Sequence, residues 1–516
     1  MRVRSFDRRL HLVRWHRLAF VPLICFTFVF AETGEQRAAR HLESIRNSPP
    51  LLLDFLRDMP KGGDLHNHLA GAIYAESFIS YAVNDNLCVD RTTGQVLPAP
   101  CQSCEATSSK PAANCAYSDQ GLYNFLIDAW SMRNSTLRHV SGHDHFFATF
   151  DRFFPAEINH TGEEIAEAAA RAAADHLQYL ELMITGVGIR SAEVGAKNGW
   201  DDDFAKMRDK LLAGGLKDVT AATRDQLTKD WDVAQQTLNC RTAKADPGCN
   251  VAVRFLYQVL RGFPREQVFA QILLGFELAQ SDPRFVGLNL VMPEDWYVPM
   301  HDFDLHMRMI DYLHGVYPNV HITLHAGELT MGLVPPEGLR FHIRESVQKG
   351  HAERIGHGVS VMYEDKPIEL MQDLAKKNVL VEICLTSNDL ILGVSGPKHP
   401  LQTYRKYGVP VALATDDQGV SRSDMTQEYV RAASAYPLTY PDLKNMARQS
   451  IAHSFLPGKS LWTDAKSFRR NGACALDNPA GDRASASCQT FLKGNERANE
   501  QWKLERAFAE FEAKTQ

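Results

Sequence analysis

Residues His321–His357 read HITLHAGELTMGLVPPEGLRFHIRESVQKGHAERIGH. The stretch opens with the apolar run His321–His325 and closes with the short run Arg354–His357, and the segment Arg340–Lys349 between them has helical periodicity. Strand, helix and strand in this order form the βαβ unit of a parallel sheet. The stretch therefore predicts an α/β fold.

The same alternation continues in both directions along the chain. Eight strands are predicted, at Asp64–Leu69, Tyr179–Ile184, Val251–Val259, Val286–Val291, His321–His325, Arg354–His357, Val379–Leu385 and Pro410–Thr415. Helical periodicity falls between them at Glu163–His176, Glu266–Leu278, Phe303–Val316, Arg340–Lys349 and Pro367–Lys377. Eight such units favour a closed (β/α)8 TIM barrel over an open doubly wound sheet.

Additional segments flank and interrupt the predicted barrel, which covers residues 62–456. An N-terminal helical segment at 32–61 precedes it, with apolar residues at helical spacing over Glu32–Met59, and a polar extension at 457–516 ends in a helix from about Glu496. Residues Asn84–Gln120 contain four cysteines and predict a disulfide-containing insertion. Residues Ser191–Gly248 predict an elaborated crossover with two helices.

The first residues have the pattern of a targeting signal. An apolar run, Leu18–Phe30, follows several arginines and precedes Ala31. This predicts a signal peptide over residues 1–31 and a secreted or periplasmic protein that has no membrane association after cleavage. An uncleaved anchor is the alternative, although a membrane span usually needs about 20 apolar residues.

The cysteines agree with export. Cys384 lies in an apolar predicted strand and is expected to be a buried free thiol. Eight others lie in polar stretches: Cys88, Cys101, Cys104, Cys115, Cys240, Cys249, Cys474 and Cys488. Four disulfides are expected in an oxidising compartment, with Cys240–Cys249 and Cys474–Cys488 as local pairs. The other four cysteines allow three connectivities or, alternatively, a zinc site.

Composition excludes few classes of protein. The 516-residue chain has a net charge of −6, with 44% hydrophobic and 23% charged residues. These values are typical of a globular protein and provide no electrostatic basis for binding nucleic acid. The sequence is also compatible with a homodimer.

Polar residues stand at the ends of four predicted strands. His66 and His68, in the first strand, are separated by one residue, so their side chains point to the same face. The others are His325-Ala326-Gly327-Glu328, Arg354-Ile355-Gly356-His357-Gly358 and Thr415-Asp416-Asp417, after strands five, six and eight. Active sites of TIM barrels lie at the carboxyl ends of the strands, so these residues are expected to meet there.

The expected cluster has the donors of a metal site. Its ligands are three imidazoles and one carboxylate, from His66, His68, His325 and Asp416. This set suits one zinc ion per chain, with room for a water whose pKa zinc lowers towards about 7. His357 is expected to accept a proton from that water, Glu328 to deliver a proton, and Asp417 to contact substrate. The set favours hydrolysis of a C–N bond.

In this order the motifs resemble the adenosine deaminase family of the amidohydrolase superfamily. The resemblance runs from about Met59 to Leu456 and includes the Pro60-Lys61 opening and Thr386-Ser387-Asn388 after strand seven. The signal and the cysteine-bearing insertion are similar to the secreted deaminase growth-factor branch. The resemblance implies a zinc-dependent TIM-barrel hydrolase of purine metabolism. It would act on the C–N bond of a cyclic amidine and convert adenosine, and 2′-deoxyadenosine, to inosine and ammonia.

The resemblance also implies individual roles. The zinc ligands would be His66, His68, His325 and Asp416, with His357 handling the attacking water, Glu328 donating to purine N1 and Asp417 accepting at N7. Ala70 stands where many members have an aspartate near the ribose, and Met292 where a glycine N–H meets purine N3. Gly71, beside Ala70, is counted with them as a substrate contact. Adenine and N6-methyl-AMP therefore remain alternative substrates.

Other classes fit the sequence less well. A non-catalytic growth-factor-like relative would not need the predicted metal ligands, nor would it need Glu328 and His357. Amidohydrolases of dihydropyrimidines often use a carboxylated lysine between two metals, and the predicted strand four has no such lysine. A metal-free glycosidase needs two rim carboxylates without a histidine cluster.

Overall fold

The computed structural model describes residues 32–135, 140–481 and 483–515. The predicted signal peptide, residues 1–31, lies outside the described residues. Residues from Gly34 onward form one unit built around a parallel sheet of eight strands.

The eight strands are hydrogen-bonded in chain order: β1 Gly62–His68, β2 Leu177–Ile184, β3 Ala252–Leu260, β4 Phe285–Val291, β5 His321–Ala326, β6 Arg354–His357, β7 Leu380–Ile383 and β8 Val411–Leu413. After β8 the backbone returns to β1, where Asp416 N–H donates to the His66 carbonyl (2.9 Å) and His68 N–H donates to the Asp416 carbonyl (3.1 Å). These bonds close the sheet, which confirms the predicted (β/α)8 barrel.

Helices surround the barrel and lie in the loops at its ends. They are Gly34–Ile45, Pro49–Asp58, Leu69–Ala72, Ala75–Asn84, Gln120–Ala129, Gly142–Glu157, Thr161–Ala174, Arg190–Asn198, Phe204–Leu211, Lys217–Thr237, Arg265–Ser281, Tyr297–His301, Phe303–Val316, His342–Gln348, Pro367–Lys377, Leu385–Leu392, Leu401–Lys406, Gln418–Ser421, Met425–Ala435, Tyr440–Ala452, Ala486–Lys493 and Glu496–Lys514. Every residue of β4 is buried. Burial on both faces explains why the strands appear in the sequence as nearly continuous apolar runs.

The structure divides two of the predicted helical segments further. The N-terminal segment is helical as predicted, but it forms two helices because Ser48 is extended (φ −116°, ψ 90°) before Pro49, the first residue of the second helix. The crossover over Ser191–Gly248 contains three helices, not two. Asp203 starts the second by accepting backbone N–H bonds from Ala205 (3.0 Å) and Lys206 (3.3 Å), and Gly215, at φ +120°, separates the second from the third.

The cysteine-rich insertion packs beside the barrel rim. It contains the two-stranded ribbon Cys88–Val89 with Val96–Leu97 and two disulfides, Cys88–Cys101 and Cys104–Cys115. The structure thus selects one of the three connectivities and pairs these cysteines as disulfides instead of a zinc site. The two local pairs, Cys240–Cys249 and Cys474–Cys488, form as predicted.

Thiol titration tests the cysteine pairing. Denatured, unreduced mature protein is expected to show one titratable thiol and eight oxidised cysteines, because Cys384 is the free cysteine of the described chain and is fully buried. Intact mass after alkylation, with and without reduction, measures both numbers. Nine titratable thiols would contradict the disulfides.

The C-terminal extension has a small core of its own and rests on the barrel. A ribbon of Trp462–Asp464 with Arg469–Arg470 precedes two helices. The last helix contacts the barrel, where the side-chain amide of Gln178 donates to the Glu500 carboxylate (2.7 Å). Within the described residues, no helix combines the length and apolar character that crossing a membrane requires.

Candidate metal and catalytic site

The four residues predicted as metal ligands meet at the carboxyl-terminal rim of the barrel. Nε2 of His325 lies 3.0 Å from Nε2 of His66 and 3.2 Å from Nε2 of His68. Oδ1 of Asp416 lies 3.4 Å from both His66 Nε2 and His68 Nε2. The ends of β1 and β5 and the segment after β8 therefore present four donor atoms to one point.

Each of the three imidazoles is held by an oxygen on its other side. Nδ1 of His66 lies 2.6 Å from Glu382 Oε2, Nδ1 of His68 lies 3.2 Å from Gln258 Oε1, and Nδ1 of His325 lies 3.0 Å from Asn289 Oδ1. The Asn289 oxygen also accepts the backbone N–H of His325 (2.9 Å), which identifies it as an acceptor. A ring that donates from Nδ1 keeps its lone pair on Nε2. Three such lone pairs facing one another repel unless a cation lies between them.

The spacing of the donor atoms fits a small ion. Ligands about 2.0–2.1 Å from a tetrahedral centre are about 3.3 Å from one another. The separations given above run from 3.0 to 3.4 Å. Three imidazoles and one carboxylate suit a borderline ion such as zinc, whereas calcium and magnesium prefer oxygen ligands.

The electrostatics of the cluster also favour a cation. Burial lowers the pKa of His66, but hydrogen bonds to Asp416 and Glu382 outweigh it and raise this pKa to about 10. Burial likewise works against the Asp416 anion, yet the neighbouring imidazoles hold its pKa well below the ordinary value. The acids thus draw positive charge into the cluster, and a metal ion would replace the proton on His66.

Glu382 is fixed from below by a buried arginine. Nε of Arg354 donates to Glu382 Oε1 (2.6 Å), and Nη2 of Arg354 donates to Glu181 Oε2 (2.6 Å). All three side chains are fully buried, and the Glu382 carboxylate keeps a lowered pKa despite burial because of the Arg354 charge. The network therefore holds His66 and its ring proton in one orientation.

Glu328 and His357 face the space beside the ligands. Nε2 of His357 lies 3.6 Å from Glu328 Oε1 and 3.8 Å from Asp416 Oδ2. Both His357 Nε2 and Glu328 Oε1 are buried and lack a hydrogen-bond partner among the described residues. Burial lowers the pKa of His357 to about 4 and raises the pKa of Glu328 well above its ordinary value, with Asp416 adding to the latter shift. The two shifts favour an uncharged imidazole and a carboxyl that keeps its proton to higher pH than usual.

The loop that carries Glu328 is held by Glu294. The Glu294 carboxylate accepts the backbone N–H groups of Gly327 (3.0 Å) and Glu328 (2.8 Å) and pairs with His342. Gly327 has φ +75°, a conformation that favours glycine, and this turn separates Glu328 from the ligand His325. Two residues after β5, the chain therefore directs Glu328 to the space beside the ligands.

Asp417 follows the predicted ligand Asp416 directly in the chain. It is buried, and its Oδ1 has no hydrogen-bond partner in the described part of the chain. Burial and the adjacent Asp416 raise the pKa of Asp417 well above its ordinary value. A Cβ at Gly71 would lie 1.5 Å from Asp417 Oδ1, so only glycine leaves room for this carboxyl.

Met292 and Ala70 are the two positions at which the sequence differs from the pattern of the family that it resembles. Met292 has φ +85°, as a glycine would allow, and its side chain folds back so that Sδ lies 3.3 Å from the backbone N of Gly262. Its carbonyl accepts two N–H bonds from the buried Arg261 (3.2 and 3.1 Å). Ala70, in the helix Leu69–Ala72, offers only a methyl group and packs against an apolar cluster. The backbone at 292 thus has a conformation that a glycine would allow, whereas position 70 offers no polar group.

Sequence reasoning missed the residues that hold the ligands and acids in place. They are Gln258, Asn289, Glu294 and Glu382. Ser387 was named as part of the motif after strand seven but without a role, and its hydroxyl donates to Asp416 Oδ2 (2.5 Å). A signal was present, because Glu382 and Asn289 are polar residues inside otherwise apolar strands. A buried polar residue in a strand needs a partner, so its position alone predicts an inward-facing network.

At the level of sequence, the chain is similar to adenosine deaminases. The sequence model of the family described as adenosine deaminase matches residues 167–461, more than half of the chain. The adenosine deaminase of Escherichia coli (strain SE11) is 38% identical over 137 residues, which are 26% of this chain and 38% of that protein. The alignment thus spans well under half the length of this curated relative.

Solved structures show the same fold. The adenine deaminase of Arthrobacter aurescens superimposes with a TM-score of 0.50 at 18% identity, covering 77% of this chain and 94% of that one. Arabidopsis ADAL, solved with IMP, also has a TM-score of 0.50 at 18% identity, covering 78% and 94%. At this identity the likeness concerns the barrel architecture.

Proposed function

Since the chain belongs to the adenosine deaminase family, we propose that it hydrolyses the 6-amino group of adenosine and 2′-deoxyadenosine, releasing ammonia and inosine or 2′-deoxyinosine. One observation carries this proposal. Three buried polar atoms without hydrogen-bond partners in the described chain, Glu328 Oε1, His357 Nε2 and Asp417 Oδ1, lie around the ligand cluster. Buried polar groups are normally paired, so these atoms are suited to a polar ring that enters the site.

The metal proposed for the ligand cluster is zinc. The donor set and its 3.0–3.4 Å spacing support this choice. Zinc held by His66, His68, His325 and Asp416 would supply the Lewis acidity that activates a water at neutral pH. The protein side chains supply the remaining chemistry.

Each of the two acids of the site is assigned to one nitrogen of the purine ring, Glu328 to N1 and Asp417 to N7. Water adds its oxygen to purine C6 while Glu328 protonates N1, and the proton that the water gives up restores the Glu328 carboxyl. The proton of the new C6 hydroxyl then passes to the amino group, so that the C6–N bond breaks, ammonia leaves and the C6 carbonyl forms. Asp417 faces N7. The role of acceptor predicted for Asp417 fails on chemical grounds, because N7 of adenosine carries a lone pair and no hydrogen. The raised pKa of Asp417 supports the opposite role, in which its protonated carboxyl donates to N7.

A charged cluster near Glu328 supports an uncharged nucleoside as substrate. His143 is close enough to Glu328 for their charges to interact, and its Nε2 lies 3.0 Å from Asp295 Oδ1 and its Nδ1 3.0 Å from Asp144 Oδ1. Burial opposes a charge on His143, but these two carboxylates raise its pKa to about 9. One cation between two anions leaves a net negative charge, which would repel a phosphate group. An uncharged ribose would not be repelled.

A substrate panel tests this specificity. We expect kcat/KM for adenosine to exceed that for AMP and N6-methyl-AMP by at least about tenfold, since unbalanced carboxylates repel phosphate. Loss of the amine from adenosine, deoxyadenosine, AMP, N6-methyl-AMP and adenine is followed by ultraviolet absorbance. Asp295→Asn removes one carboxylate and should narrow the difference. A wild-type preference for a nucleotide or for adenine would overturn the proposal.

Secretion or periplasmic export remains the proposed location. The four disulfides support it, because such bonds persist in oxidising compartments. Expression with the native leader and N-terminal sequencing of the exported protein should give a chain that starts near Glu32. Retention of residues 1–31 on the isolated protein would contradict cleavage.

A further inference from the structure

Behind His357 lies a chain of hydrogen bonds that determines which ring nitrogen carries its proton. We propose that Asn388 and His399 are positioning residues that hold His357 as the Nε2–H tautomer, so that His357 faces the reacting water as a hydrogen-bond donor. The catalytic consequence rests on the proposed function, whereas the tautomer itself can be observed in any state of activity.

The chain of bonds starts at a helix N-terminus. Leu401 is the first residue of the helix Leu401–Lys406, and N–H groups of a first helical turn have no acceptor within the helix. The backbone N–H of Leu401 donates to His399 Nδ1 (3.1 Å). A backbone N–H can only donate, so His399 Nδ1 carries the lone pair and the proton of this ring lies on Nε2.

The side-chain amide of Asn388 passes this orientation to His357. His399 Nε2 lies 3.0 Å from Asn388 Oδ1, which must accept because His399 donates there. The other end of the amide, Nδ2, then donates to His357 Nδ1 (3.1 Å). Asn388 and His357 are fully buried and His399 is 3% exposed, so water does not compete for these bonds. A known donor at one end thus settles the amide orientation, which atom positions alone do not.

The bonds leave His357 with one polar function on the side of the substrate. Its Nδ1 is occupied as an acceptor, so the neutral ring carries its hydrogen on Nε2, the atom 3.6 Å from Glu328 Oε1. A second proton, on Nδ1, would set two N–H donors against each other. Reversing the amide to relieve this would oppose the Asn388 N–H to the His399 N–H. His357 therefore orients the oxygen of the water by donation, in place of the acceptor role predicted from the sequence.

Substitutions can reverse the tautomer without removing a side chain. Asn388→Asp places a carboxylate, which only accepts, between the two rings, so His357 must move its proton to Nδ1. His399→Glu accepts from Leu401 and requires the Asn388 amide to turn round, with the same result. His399→Gln keeps one acceptor and one donor and should retain the Nε2–H form. Asn378→Asp is the matched control, because Asn378 Nδ2 makes a similar bond to His453 Nε2 (2.9 Å) away from the site.

The tautomer is read directly by 15N NMR of histidine-labelled, zinc-loaded protein, with the His357 signals assigned by their loss in His357→Asn. We expect Nε2 of His357 to be the protonated nitrogen in wild type, in His399→Gln and in Asn378→Asp. In Asn388→Asp and His399→Glu the proton should lie on Nδ1. Their kcat should fall by about 10–100-fold, the usual scale for residues behind a catalytic group, with a smaller change in KM.

Two results would overturn the proposal. One is an unprotonated His357 Nε2 in the wild-type protein, and the other is an unchanged tautomer in Asn388→Asp. If Asn388→Asp does not fold, His399→Glu provides the same reading. Failure of the proposed deaminase activity would appear separately, as absent turnover with the expected tautomer in place.

Discussion

Asp416→Ala protein is expected to contain almost no zinc and to lose turnover by at least about 1000-fold, the ratio for a loss of about 4 kcal/mol. Asp416 Oδ1 lies 3.4 Å from the Nε2 atoms of both His66 and His68, and it is the negative charge among the four donors. Alanine would leave three imidazole lone pairs without the anion that balances a dication. His66→Ala should have the same result, because it removes the ligand that Glu382 orients.

Metal analysis and turnover on the same purified protein check this expectation. His314→Ala is the control, since His314 stacks on His351 (ring centroids 4.1 Å apart) outside the ligand cluster. It should keep one zinc per chain and the wild-type rate. Full zinc occupancy in both Asp416→Ala and His66→Ala would refute the ligand assignment.

Glu328→Gln is expected to keep zinc and substrate binding while it loses at least about 100-fold in turnover, the usual scale for a general acid. Glutamine has nearly the same shape and can donate a hydrogen bond, but it cannot transfer a proton to N1. Since the backbone N–H of residue 328 donates to Glu294 whatever the side chain, the loop should stay in place.

The unfolding midpoint of the variant distinguishes a catalytic role of Glu328 from a structural one. Glu364→Gln is the matched control, because Glu364 is also a buried glutamate with a raised pKa, about 7, and accepts the backbone N–H of Ile343 (2.6 Å) outside the site. This control should change the unfolding midpoint more than the rate. If Glu328→Gln instead turns over at nearly the wild-type rate with lowered stability, Glu328 is structural and the mechanism is wrong.

The pH dependence follows from the direction of the Glu328 shift. Burial, together with Asp416 and Glu294, raises the pKa of Glu328, so the acid is protonated below that pKa and its proton is lost as pH rises through it. Activity should therefore fall on the alkaline side. A dication at the ligands opposes the rise, so the alkaline limb reports the pKa of Glu328 in the zinc-loaded enzyme. In Glu328→Gln this limb should disappear from the residual rate.

Local periodicity accounts for what could be predicted without a structure. The alternation of a strand places His66 and His68 on one face, and a polar residue after an apolar strand marks its carboxyl end. In a parallel barrel those ends share one rim, so the four ligands, Glu328 and His357 could be assembled from sequence positions alone. Helix boundaries were less certain, because a single extended residue such as Ser48 can break a periodic segment.

The sequence alone predicted the barrel and the pairing of cysteines close together in the chain, and the structure confirms both. It also predicted the four metal ligands and the acids Glu328 and Asp417, on which the proposed mechanism rests. Only the folded chain reveals the partners on the far side of each predicted ligand, such as Glu382 on His66, 316 residues away. The same is true of the pairing within the insertion and of the ring nitrogen of His357 that carries the proton. Strand periodicity depends on neighbouring residues in the chain, whereas a buried hydrogen bond depends on which side chains the closed barrel brings within about 3 Å.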